Sequence, residues 1–176
     1  MEELLIRPAT VDDLDVLHDI AERAVCELLN GSYEPAQLAA ARAAKVHEVE
    51  REVIEAGRYY VIEVGGTVVG GSGWSDRGEF SPLEVSTGAV PVVDASTATM
   101  RATYVDPRWS RRGFATLLAR VTETVATNAG FSTFEAMCTP ASEALRVRLG
   151  YEVVERIATE FGDGVEVKVA RMRKTL

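Results

Sequence analysis

Apolar and polar positions along this chain follow two periods in turn. Leu4-Leu5-Ile6-Arg7-Pro8 is a short apolar run stopped by proline, the pattern of a first, edge-type strand. Leu14, Leu17, Ala21, Ala24 and Leu28 then recur at helical spacing and predict a helix with one apolar face. Thr10 is its expected N-cap, Asp12 and Asp13 stand in its first turn, and Asn30-Gly31 ends it. A second helical stretch is expected from Pro35, with Val46, Val49 and Val53 on one stripe and Gly57 as its close. The period then falls to two. Arg58 to Val64 and Thr67 to Gly71 are β-rich runs around Gly65-Gly66, a hairpin signal. Residues 75–96 show no period and read as a long loop, either functional or a surface insertion.

From Thr97 to Val105 alternation returns, with Met100, Ala102 and Tyr104 on one side, and Asp106-Pro107 ends the strand. Phe114, Leu117, Leu118, Val121 and Val125 place a helix from Gly113 to about Asn128. Phe131 to Cys138 is expected as a strand and Pro140 to Leu149 as a short helix. Tyr151 to Phe161 and Val165 to Met172 are expected as strands around Gly162-Asp163-Gly164. Helices alternate with strands in the middle while hairpins flank them. The pattern therefore predicts an α+β fold, a mixed sheet with helices on its faces rather than a purely parallel sheet.

Composition narrows the function classes. With 176 residues, 47% apolar and 26% charged, the chain is ordinary globular material and is expected to form a single domain over 1–176. Acids outnumber bases 27 to 19, a net charge of −8, which argues against a general nucleic-acid or anionic-membrane binder. Cys26, Cys138, His18 and His47 have no metal-ligand spacing, and no metal site is expected. The acidic N-terminus does not resemble a secretory leader, and no run is long and apolar enough for a membrane span, so a cytoplasmic location is expected.

The stretch from Tyr104 to Leu118 carries the chemistry. A strand ends, a short loop follows, and a helix begins at Gly113. The first-turn N–H groups of a helix lack internal partners, and the helix dipole adds partial positive charge there, which together favour phosphate. Residues 101–120 hold five arginines and one acid, so an acidic chain turns basic at this point. From the residues alone, a solvated arginine loop is as good a reading as a phosphate site. No Gly-Lys-Ser/Thr follows, and the Gly-x-Gly-x-x-Gly pattern is absent.

Val105-Asp106-Pro107 followed by Ser110-Arg111-Arg112-Gly113-Phe114-Ala115 resembles the acetyl-coenzyme A signature of the GNAT superfamily of N-acetyltransferases. Gly113 and Ala115 match that signature, while Ser110 stands where Arg or Gln is usual. Ile6-Arg7-Pro8-Ala9-Thr10, Val68-Val69-Gly70-Gly71 and Leu149-Gly150-Tyr151-Glu152 resemble further segments of the family, in the family's order.

The resemblance implies a central, mostly antiparallel mixed sheet of about seven strands and a V-shaped gap between the fourth and fifth. Acetyl-coenzyme A would lie in that gap, its pyrophosphate on the amides of Arg111, Arg112, Gly113, Phe114, Ala115 and Thr116, its pantetheine arm beside Tyr104 and Val105. The implied activity is direct acetyl transfer to a primary amine of a small molecule or peptide. A non-catalytic acyl-coenzyme A sensor is the alternative. Tyr33 and Trp74 are the candidate acceptor contacts, and Trp109 is expected to pack the coenzyme or its loop. Many family members place a tyrosine four residues before the Leu-Gly-Tyr glycine as the thiol's acid, and here that position is Arg146. No catalytic residue is assigned. Asp76, Glu79 and Glu84 are weak base candidates in the loop, Tyr104 a weak donor candidate, and Tyr151 reads as packing. Cys138 lacks a histidine partner in the pattern, so direct transfer is expected over a thiol intermediate. A homodimer is compatible with the family, but no interface is legible.

Overall fold

The computed structural model describes residues 3–28, 31–45, 47–78, 80, 93–161 and 164–176. Strand β1 (Leu4–Pro8) leads through a short 3-10 turn at Val11–Asp13 into helix α1 (Leu14–Leu28). Asp13 accepts the Thr10 N–H at 2.7 Å and both terminal nitrogens of Arg7 at 2.8 Å, so the turn into α1 is clamped to β1. Helices α2 (Pro35–Ala43) and α3 (Arg51–Glu55) follow, then the hairpin β2 (Tyr59–Val64) and β3 (Thr67–Ser75).

The single helix expected from Pro35 to Gly57 is two. Lys45 has a φ of 52°, a left-handed conformation that stops the α2 ladder just after Ala44. Val49 then turns inward beside Val53 and Ile54, and its carbonyl meets Nε2 of His18 at 3.2 Å. Val46 lies outside the described residues, as does most of the loop expected over 75–96. The described ends of that loop meet where the Val93 N–H donates to the Gly78 carbonyl at 3.1 Å.

The strand expected from Thr97 to Val105 is also two pieces, β4 (Thr97–Met100) and β5 (Tyr104–Val105). Against β3, Trp74 pairs with Met100 and Gly71 with Tyr104. Two residues of β3 thus oppose three, Arg101, Ala102 and Thr103, and the surplus residue makes a bulge. Helix α4 (Phe114–Asn128), β6 (Thr133–Cys138), α5 (Pro140–Arg148), β7 (Glu152–Glu160) and β8 (Glu166–Thr175) complete the chain.

Among the described residues the sheet has eight strands in the order β1-β2-β3-β4-β6-β8-β7, with β5 on β3. Only β4 and β6 run parallel among the described pairs, from Thr97 opposite Thr133 to Met100 opposite Ala136. The mixed, mostly antiparallel sheet matches the expectation, and the bulge accounts for the extra strand. One face carries α4, which buries Leu118 against Ile62 and Val69, and Ala119 and Ala126 against Phe134 and Met172. The other face carries α1 and α3, where Leu14, Leu17 and Val53 meet Tyr59 and Val61. Val61 and Ile62 are adjacent in β2 and face opposite layers, as strand geometry requires.

Candidate active site

Beyond Met100 the ladder between β4 and β6 stops. The bulge keeps β5 on β3, whereas the end of β6 stays with β8 through Cys138 opposite Ala170. The two halves of the sheet therefore part, and a cleft of about 760 Å³ opens between them. Tyr104, Val105 and the bulge form one wall; Met137, Cys138 and α5 form the other. The start of α4 stands at one end, and Ala24, Val25 and Glu27 of α1 approach with Phe161 and Val169.

The start of α4 is built for an anion. Gly113 caps the helix with φ 85°, a conformation that glycine adopts without strain, and a side chain there would meet no atom within 4 Å. Arg111 also has positive φ, 62°, unusual for a residue with a side chain. The Leu117 N–H bonds to the Gly113 carbonyl at 3.0 Å, so the amides of Phe114, Ala115 and Thr116 precede the helical ladder. All three residues line the cleft and are only partly buried. An open cap, oriented amides and a nearby arginine fit a phosphate-bearing coenzyme.

The loop before this helix is pinned by Asp106, which is 2% exposed. Its carboxylate caps the 3-10 turn at Pro107–Trp109 by accepting the Arg108 N–H at 3.0 Å. It also holds the Arg108 guanidinium at 2.7 Å and that of Arg23, from α1, at 3.0 Å. These bonds, Arg108 foremost, hold the carboxyl far below the usual carboxylate range against the opposing effect of burial. Arg112 lies over the Trp109 ring at 4.5 Å, and Trp109 packs beside Phe114.

Where β4 and β6 part, two arginines are buried. Arg101, the first residue of the bulge, pairs with Glu50 at 3.0 Å. Arg146 of α5 donates from Nη2 to the Arg101 carbonyl at 3.4 Å and lies over the Tyr151 ring at 5.2 Å. Burial pushes the Tyr151 hydroxyl well above its usual range.

A family model described as the acetyltransferase (GNAT) family matches residues 23–151. The chain belongs to the GNAT family. Its fold is shared by a GCN5-related N-acetyltransferase from Rhodopseudomonas palustris, with a TM-score of 0.75 at 19% identity, covering 100% of this chain and 98% of that one. It is shared by the PaiA N-acetyltransferase of Thermoplasma acidophilum, solved with coenzyme A (TM-score 0.69, 15% identity, 99% of both chains). YncA, a putative acetyltransferase of Salmonella typhimurium solved with acetyl-CoA, gives 0.65 at 20% identity over 99% of this chain and 94% of that one. No curated protein sequence matches.

In this GNAT chain the cleft brings together Tyr104, Val105, Arg111, Gly113, Phe114, Ala115 and Thr116. Arg112 stands beside the cleft, on Trp109, rather than on its wall. The two acceptor candidates sit elsewhere. Trp74 is 3% exposed in the core, edge-on to Phe131 at 5.6 Å and under Arg58. Tyr33 donates its hydroxyl to the Lys168 carbonyl at 3.3 Å, and burial pushes its pKa up to about 12. Both lie off the wall of this cleft: Trp74 packs with Met100 and Phe134, and Tyr33 with Val25, Ala41 and Val167.

Asp76 is held by two 2.5 Å bonds from Arg58 and is not part of the cleft wall. Glu79 and Glu84 fall outside the described residues. Tyr151 is 2% exposed in the core. Cys138 does line the cleft. Sequence reasoning missed Glu27, the carboxylate among the described lining residues, and the hydroxyls of Thr139 and Ser142. Glu27 follows Ala24 at helical spacing, the signal that could have placed it on this side of α1.

Proposed function

We propose that this chain transfers an acetyl group from acetyl-coenzyme A directly to a primary amine of a small molecule or peptide. The observation that carries the reading is the parting of β4 and β6 next to the open cap of α4, which joins an anion cradle and a walled cleft. Acetyl-coenzyme A supplies an activated thioester when bound. The amides of Phe114, Ala115 and Thr116, with Arg111, would hold its phosphates, and Tyr104 and Val105 would bind its arm. The amine nitrogen forms the new C–N bond as the C–S bond breaks, the nitrogen loses a proton and the departing sulfur gains one. An alkylammonium has a pKa near ~10.4, so a proton acceptor raises the fraction of free amine. Glu27, exposed on the cleft rim, is the carboxylate positioned for that task, directly or through water.

The acidic balance of the chain favours a cationic acceptor. Among the described residues no helix is long and apolar enough to cross a membrane. Release of free thiol from acetyl-coenzyme A across a panel of amines tests the proposal. Turnover with at least one amine is expected; coenzyme binding with silence across the whole panel overturns the transfer reading. That second outcome is the one expected of a non-catalytic sensor, a reading favoured by Arg146 at the family's tyrosine position.

A further inference from the structure

Arg146 is 4% exposed, yet it lines the cleft. Among the described residues no carboxylate lies within ion-pair range of it, and its Nη1 has no hydrogen-bond partner. Nη2 makes the 3.4 Å bond to the Arg101 carbonyl, and the guanidinium lies over the Tyr151 ring and acts on its hydroxyl. Arg101, 5% exposed, adds a second guanidinium nearby and is matched by Glu50.

Other buried charges among the described residues are paired. Glu135, fully buried, accepts from Arg171 at 2.9 Å and Arg173 at 2.7 Å. Glu123 meets Lys174 at 2.6 Å, and Asp106 holds Arg23 and Arg108. A guanidinium cannot shed its proton to escape burial, so one without a counter-charge destabilises the site until an anion arrives. A buried cation on the wall of a cleft, with one donor that the protein leaves without a hydrogen bond, is matched by an anion brought by a ligand.

Position says which anion. The phosphate cradle lies at the start of α4, beyond β5, whereas Arg146 reaches the bulge residue Arg101, where β4 and β6 separate after the Met100–Ala136 pair. Val105 and Tyr104 line the cleft between the two, so a coenzyme held by its phosphates at α4 would bring its acyl end toward this point. Resting on the proposed function, we infer that Arg146 binds a carboxylate carried by one of the two reactants. The carboxylate belongs either to the acyl group, as in a dicarboxylic acyl-coenzyme A, or to an amino-acid acceptor.

The experiment has an arm for each source. Calorimetry compares succinyl-coenzyme A with butyryl-coenzyme A, equal in chain length but neutral at its end, on wild type and on Arg146→Met. Thermal shift of the coenzyme A complex compares free amino acids with their amides on the same two proteins. In one arm wild type is expected to favour the carboxylate ligand by tenfold or more in affinity, or by a clear added rise in Tm, and Arg146→Met is expected to abolish that preference. Arg146→Lys, which keeps the charge and loses the fork, is expected to retain only part of it. A wild-type protein without preference in either arm, or a preference that survives in Arg146→Met, overturns the inference. Arg146→Met without ligand is expected to melt no earlier than wild type, because an unanswered charge has been removed; a fall in Tm with unchanged selectivity marks a packing role and overturns it too. Failure of coenzyme A itself to bind wild type instead removes the proposed function.

Discussion

Arg23 and Asp106 meet at 3.0 Å across 83 residues of chain, helix α1 gripping the loop that leads into α4. The carboxylate is buried and both of its arginines reach solvent, so Asp106 organises them rather than the reverse. Asp106→Asn should therefore lower stability by about 1–3 kcal/mol, roughly the cost of losing charged hydrogen bonds. Weaker coenzyme A binding should accompany it, since the loop before Gly113 loses its anchor. Thermal melts and calorimetry on the variant check both effects. An unchanged melting temperature would show that the three groups act independently.

Gly113→Ala places a Cβ at φ 85° and costs roughly 1–2 kcal/mol of backbone strain. No protein atom obstructs that Cβ, so any loss of coenzyme affinity beyond the strain reports a ligand in the open space. A tenfold or greater rise in Kd is expected by calorimetry, with a modest fall in Tm. Gly113→Asn should be milder on folding, because asparagine tolerates the left-handed region better.

Gly70 supports the far wall. A Cβ there would lie 2.6 Å from the Tyr104 carbonyl oxygen, which is backbone and cannot swing aside. Gly70→Ala must push β5 off β3, with overpacking worth about 1–3 kcal/mol. Because Tyr104 and Val105 line the cleft, KM for the coenzyme should rise along with the fall in stability. A variant that loses stability while keeping its KM would separate the wall from the site.

Acid should destabilise the fold through specific pairs. Hydrogen bonds from Arg7 lower the Asp13 pKa to about 2, and Asp106 is pulled down in the same direction by Arg108 and Arg23. A carboxylate lowered on folding stabilises fully above its unfolded pKa, near ~3.9, and loses that contribution as pH falls through the folded value. Denaturant midpoints should thus hold steady from neutral pH to about 5 with respect to these groups, then fall between about 4 and 2. Asp13→Asn should flatten part of that fall. A midpoint that climbs on acidification would contradict the pairing.

Much of this architecture is legible in the residue pattern, and the exceptions have identifiable causes. Helix α4 and its cap were readable because periodicity and Gly113 agree. The bulge was not, since one surplus residue leaves Met100, Ala102 and Tyr104 alternating as if in one strand. Helix α2 ends at a lysine with positive φ, a stop that the Val46, Val49 and Val53 stripe conceals. Trp74 was misplaced because β3 from Val69 to Ser75 is buried on both faces, so alternation carries no information about which side meets a ligand. The burial of Arg146 was equally hidden: an arginine flanked by Leu145 and Val147 in a short helix gives no sign of facing inward.

The four pairs from Thr97–Thr133 to Met100–Ala136 have a mechanical meaning. Every strand up to Val105 has antiparallel neighbours within the first half of the chain, and every strand from Thr133 onward finds its antiparallel neighbour within the second. Among the described strands, that short parallel ladder is the seam between two meanders. No other described ladder joins the two meanders, so any motion that parts them should concentrate there. Slow-exchanging amides would then belong to the interiors of the two meanders, and a long coenzyme could enter by a slight spreading of the seam, with no separate gate.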